Sequence, residues 1–269
     1  MDAFFSYGFR PFFLGASVYA VLLMSGWLVW IGQWSSGATA HWLTVTGSPF
    51  AWHAHEMVFG FAAAAIAGFL LTAVPNWTGS LPLSGPPLIL LFIVWLAGRM
   101  AMAVSGHFPL AAPVIDLAFL PLLAAFATRQ LLVKPAARNF GFVVILAALT
   151  LGNAAYHAAT LGLIGRDPLV IMRVALLLVA LMITIIGGRI VPAFTHNWLH
   201  LNAIEGPMPS RAGWLDGLSV VSAAAVAVSI ACEVPSELLC AMALLAAGSN
   251  GARLALWRGL ATRREPIVW

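Results

Sequence analysis

Apolar stretches of about 20 residues return along the whole chain, each closed by helix-breaking residues, and no other feature limits the fold so strongly. A helix rises about 1.5 Å per residue, so about 20 apolar residues cross a hydrocarbon core about 30 Å thick. The stretches run from Pro11 to Gln33, Phe50 to Val74, Pro86 to Val104, Pro109 to Thr128, Phe140 to Ile164, Leu169 to Gly188, Ala212 to Ala231 and Pro235 to Trp257. Turn-forming residues separate them: Trp34 to Thr39, Asn76-Trp77-Thr78-Gly79, Ser84-Gly85-Pro86-Pro87, Lys134-Pro135 and Gly206-Pro207-Met208-Pro209. The pattern predicts an all-α fold, a polytopic transmembrane helical bundle of about eight spans. No linker is long enough for a soluble domain, so residues 1–269 read as a single integral membrane domain.

Composition agrees. Of 269 residues 62% are hydrophobic and 8% charged, against about 25% charged in a typical soluble domain. A soluble fold of this length could not bury so much apolar surface. The first stretch is too long for a cleaved signal peptide and is expected to remain as a span. Cys232 and Cys240 form neither a disulfide framework nor a C-x-x-C motif and read as packing residues.

The basic residues orient the bundle. With the N-terminus in the cytoplasm, 10 of the 13 lysines and arginines face that side, leaving Arg99, Arg166 and Arg173 outside. The positive-inside rule therefore predicts a multi-pass protein with both termini cytoplasmic. The net charge of +4 is spread over short loops, which argues for the lipid bilayer, including its anionic lipids, as partner and against nucleic acid.

In this orientation His53, His55, Glu56, Asp116, Asn153 and His157 fall in the outer half of the membrane, with Arg99 and His107 expected in the loop above. Ionisable groups at membrane depth usually face a bundle interior and mark sites. Glu56 and Asp116 are therefore candidates for a proton route, the alternative being a buried structural pair with Arg99. His53 and His55 point about 200° apart on a regular helix and cannot both ligate one metal. His53 is expected to share a face with Glu56 and Met57, a setting suited to a small copper-like centre, and His55 to share one with Phe59. Asn153 lies four residues before His157, where its amide could orient that imidazole. His53, His55, His157 and Glu56 are the metal candidates. Interhelical hydrogen bonding is the plain alternative for each. His41 and His107 are loop residues and weigh less. Gly187-Gly188-Arg189 with Pro192 reads as a helix terminus, so His196 and His200 beyond it are kept out of the site.

Several stretches together resemble the NnrS family of bacterial inner-membrane proteins. They are Gly8-Phe9-Arg10-Pro11-Phe12-Phe13, Trp52-His53-Ala54-His55-Glu56-Met57 and Gly68-Phe69-Leu70-Leu71-Thr72-Ala73-Val74-Pro75-Asn76-Trp77-Thr78-Gly79, followed by Trp95-Leu96-Ala97-Gly98-Arg99, Gly152-Asn153 with His157, Gly187-Gly188-Arg189 with Pro192, and Arg253 with Trp257-Arg258-Gly259. The resemblance implies an inner-membrane protein containing haem and copper, tied to nitric oxide metabolism in denitrification and to nitrosative stress, with nitric oxide as its small gaseous ligand. Members usually have about twelve spans, so the chain is expected to lack the C-terminal third. Without a C-x-x-C-H attachment motif, any haem is non-covalent. Cofactor contacts are expected from His55, His157, Asn153 and Arg99, with haem between His55 and His157 and Phe59 against the macrocycle. Two further readings stay open: a membrane oxidoreductase acting on nitric oxide, and a metal or small-molecule transporter.

Overall fold

The computed structural model describes residues 3–38, 43–135, 137–204 and 206–263. His41, Arg264 and Trp269 lie outside the described residues. Among these, eight helices are long and apolar enough to cross a membrane, and no strand occurs. They are α1 (Phe9–Ser35), α2 (Pro49–Thr78), α3 (Pro86–Ala103), α4 (Ala111–Leu131), α5 (Ala137–Thr160), α6 (Pro168–Leu201), α7 (Gly213–Ala231) and α8 (Ser236–Trp257). The expected all-α, eight-span architecture is the one found.

Two helices outrun their expected ends. Pro75 does not stop α2, which continues to Thr78 and closes at Gly79, where φ of +70° suits a residue without Cβ. Nor do Gly187-Gly188 and Pro192 end α6, which is helical to Leu201. A proline removes one backbone donor, and membrane helices tolerate that loss where neighbouring groups satisfy the freed carbonyl. The reading of this motif as a helix terminus is thereby corrected. His196 and His200 share one face of α6, their rings 6.4 Å apart, and both are exposed.

The chain divides into two compact units, Met1–Ala175 and Leu176–Trp269. In the first, α1 packs on α2, α3 on α4, and α4 on both α2 and α5. Phe12, Leu70, Leu71, Leu88, Leu91, Leu123 and Leu146 fill the contacts and are fully buried. Its connections gather at two ends. At one end Thr46 Oγ1 donates to the Ser105 carbonyl (2.8 Å) and Gly106 N to the Thr44 carbonyl (2.9 Å). At the other, Gly85 N donates to the Phe5 carbonyl (2.9 Å) and Gln130 Nε2 to the Leu81 carbonyl (3.1 Å). Successive spans therefore alternate in direction.

Two irregularities position polar residues. After His55, α2 changes to a π-helix over Glu56–Ala62, a widened turn that recurs at functional sites. The Trp95 indole donates to the Gly60 carbonyl within that turn (2.9 Å). α4 is interrupted after Asp116, its helical pieces being Ala111–Asp116 and Phe119–Leu131. In the second unit α7 and α8 form a packed pair joined by a short turn. Cys232 and Cys240 are exposed free thiols.

Candidate metal centre

Five helices of the first unit bring seven polar side chains into one layer, six of them buried and Tyr19 half-buried at its edge. α2 contributes His55 and Glu56, α3 Arg99, α4 Asp116, α5 Asn153 and His157, and α1 Tyr19. Glu56 uses both oxygens: Oε1 accepts from Arg99 Nη1 at 2.7 Å and lies 2.8 Å from His55 Nδ1, while Oε2 accepts from the Tyr19 hydroxyl. Asp116 does likewise. Its Oδ1 accepts from Arg99 Nη2, and its Oδ2 lies 2.8 Å from Asn153 Nδ2, 2.9 Å from His157 Nε2 and 3.3 Å from His55 Nε2. His55 Nε2 is also 2.8 Å from Asn153 Oδ1.

Glycine makes the layer possible at two points. A Cβ on Gly60 would stand 2.7 Å from the Tyr19 ring and 2.9 Å from Arg99 Nη1. One on Gly98 would stand 3.3 Å from the backbone of Asp116. The close approach of α1 and α3 to the π-turn, and of α4 to α3, depends on these bare positions.

The charges do not cancel. Two buried carboxylates face one guanidinium, which leaves one negative charge in a medium of low dielectric. A proton on an imidazole or a metal cation offsets it. His55 has acceptor oxygens at both ring nitrogens, so without a metal it donates from both and itself carries the offsetting proton, whose place at Nε2 a metal ion would take. The Asp116 carboxylate with His55 and His157 forms a group whose ligand atoms all lie within 4.8 Å of one another.

A family model described as NnrS protein matches residues 3–269. The chain belongs to the NnrS family. No curated protein and no solved structure matches it.

The residues of this NnrS-family chain fit one implied group better than the other. Two imidazoles and a carboxylate suit copper or another borderline divalent ion. Glu56 at His55 Nδ1 is the partner that leaves Nε2 as a ligating nitrogen. Haem between His55 and His157 does not fit. Their ring centroids are 5.3 Å apart, and the Asp116 carboxylate and the Asn153 amide fill the space a macrocycle would need. The adjoining cavity, lined by Tyr156 and His157, has about 10 Å³, roughly one water. Phe59 packs on the His55 ring itself, at 5.0 Å.

Four expectations about individual residues change. Arg99 is inside α3 and buried, not in an outer loop. Glu56 turns its carboxylate to the ring of the adjacent His55 and to Arg99 rather than serving a centre with His53. Asn153 holds His55 and Asp116, and His157 reaches Asp116 directly, so the amide does not orient His157. His53 stands apart: its ring stacks on Trp27 at 4.2 Å, and its buried Nδ1 has no partner. His107 is an exposed loop residue.

Sequence reasoning missed Tyr19, Gly60 and Gly98. A signal for the first was present. The chain has 3 tyrosines against 16 phenylalanines, and a tyrosine chosen over phenylalanine inside a span needs a partner for its hydroxyl.

Proposed function

We propose that this chain is an inner-membrane protein of the bacterial nitric oxide response that holds a small metal ion, with copper the best match, on His55, Asp116 and His157. The convergence of those three ligand atoms in a buried layer, where two carboxylates face a single guanidinium, carries the reading. Glu56 fixes the tautomer of His55, Arg99 clamps both carboxylates, and Asn153 sets the distance between His55 and Asp116. The metal supplies a centre at which a small gaseous ligand can be bound or turned over. The residues present bind that metal, exclude bulk water and keep protons on a short path from Tyr19 through Glu56 to His55.

Family membership supports the tie to nitric oxide. Haem, implied by the family resemblance, is not assigned to the pair His55 and His157. His53, whose buried Nδ1 has no hydrogen-bond partner, is an imidazole outside that layer. Orientation with cytoplasmic termini, and residues 1–269 as one domain, belong to the same proposal.

Metal analysis and absorption spectra of protein purified in mild detergent test it. Copper near one per chain is expected in the wild type and strongly reduced copper in His55→Ala, His157→Ala and Asp116→Asn. Equal copper in all four proteins would remove the site. A Soret band lost in both histidine variants would restore the haem pair.

A further inference from the structure

At 34 residues α6 is longer than a membrane crossing requires. A helix of that length runs about 51 Å, against a hydrocarbon core of about 30 Å. The apolar run Leu169 to Gly188 fills such a core by itself, and Arg189 follows it directly. His196 and His200 stand about 12 Å and about 18 Å further along the axis, at the depth of headgroups and water, where dissolved ions reach them.

Because Pro192 does not stop the helix, these two histidines are set one turn apart on one face. Their rings lie 6.4 Å apart and within 10° of parallel. Thr195 and Leu199, which precede them by one position each, are buried, and that packed face turns both imidazoles outward. Neither imidazole has a hydrogen-bond or ion-pair partner among the described residues. The helix end beneath them is closed in order: Ala203 takes a φ of +50°, its N donates to the His200 carbonyl (3.2 Å), and Ile204 N donates to the Leu199 carbonyl (3.0 Å). His200 belongs to the last turn, where the negative pole of the helix dipole favours a cation.

We infer that His196 and His200 form a second metal site, on which a borderline divalent ion, Cu(II) before Zn(II), is held by one nitrogen of each imidazole and by water. Two histidines at this spacing hold one zinc in H-E-x-x-H helices. Both rings are exposed, so rotation about their side-chain torsions brings a nitrogen of each to one ion without moving the backbone. Imidazole selects copper and zinc over magnesium and calcium. No further histidine, cysteine or carboxylate joins the pair among the described residues, so water completes the shell and the ion exchanges. A chelator should therefore empty this site while the buried layer keeps its copper.

Titration of the untagged chain in mild detergent with Cu(II), after a wash with EDTA, gives the test. Wild-type protein is expected to take up one further ion, with paramagnetic resonance showing nitrogen ligation, to bind Zn(II) more weakly and to ignore Mg(II). His196→Ala and His200→Ala should each weaken that uptake about tenfold or more, since either change destroys the chelate. The copper retained through the wash should be the same in all three proteins, which separates this site from the buried one. Absence of the further ion in wild type overturns the inference. So does wild-type affinity in either single variant, or equal uptake of Mg(II).

Discussion

Each unit of the molecule buries an arginine on a candidate membrane span, and the two are satisfied in different ways. Arg253 of α8 spends every nitrogen on its own unit. Nε donates to Asp216 Oδ1 (2.9 Å), Nη1 to Asn250 Oδ1 (3.1 Å) and Nη2 to the Thr184 carbonyl (3.2 Å), while the guanidinium lies 4.8 Å from the Trp257 ring. Gly188 leaves room for it, since a Cβ there would collide with Nη2. Asp216 has a second cation in Arg211 at 2.8 Å. No imidazole takes part. Arg99 instead leaves Nε unpaired and holds two carboxylates, which in turn collect two imidazoles, an amide and a phenol. The first cluster is closed and carries no spare ligand. The cluster around Arg99 gathers two imidazoles within reach of one carboxylate, which is what the proposed metal site needs and the Arg253 cluster lacks.

Removing the carboxylate that joins the imidazoles is the harshest way to break this contrast. Asp116→Leu leaves Arg99 with Glu56 alone and strips His157 Nε2 and Asn153 Nδ2 of their acceptor. A destabilisation of about 3–5 kcal/mol is expected for breaking a buried pair from one side. Thermal unfolding in detergent, read together with copper content, should show both properties falling. A variant as stable as wild type would mean that Asp116 is not held as described.

Gly60→Ala comes next and removes no ligand. Its methyl group must displace the Tyr19 ring or Arg99 Nη1, an overpacking cost of about 1–3 kcal/mol. Copper is expected to fall because Glu56 and Arg99 can no longer meet as they do. Full copper with an unchanged melting temperature would show that the π-turn does not position the site.

These residues also show what the sequence could reveal. Apolar run length sufficed for eight spans, since crossing a hydrocarbon core fixes length and composition together. His55, Glu56, Asp116, Asn153 and His157 stood out because ionisable or amide groups are costly at that depth. Their pairing does not follow from the sequence, because the bonds of His55 to Asn153 and of Asp116 to Asn153 and His157 run between helices whose packing no single-helix periodicity gives. The extent of α6 is not legible either, since Pro192 counts as a stop in water but not inside a membrane bundle. Gly60 and Gly98 were silent, because a glycine's importance lies in a neighbour that only the fold supplies.

Arg253→Met probes the closed cluster and should do less. Asp216 keeps Arg211 as its cation and methionine occupies much of the same volume, so the substitution leaves no buried charge without a partner. A loss of about 1–2 kcal/mol is expected from the hydrogen bonds to Asn250 and the Thr184 carbonyl, with copper unchanged. Loss of copper in this variant would erase the distinction between strut and site.

The smallest effect on the metal is expected at His53, although the sequence marks it as strongly as His55. Its ring lies parallel to Trp27, which stacks in turn on Trp30 at 5.0 Å, with Phe50 edge-on to both tryptophans. His53→Ala therefore removes one layer of an aromatic stack, worth about 1 kcal/mol, and touches none of the ligand atoms of His55, Asp116 and His157. Copper on those three should remain near wild type in metal analysis. Should haem be present and vanish in this variant alone, His53 holds a second cofactor through the nitrogen that the protein leaves unpaired. Should copper vanish while haem stays, the two histidines of α2 share one metal despite pointing to different neighbours, and the assignment to Asp116 and His157 fails.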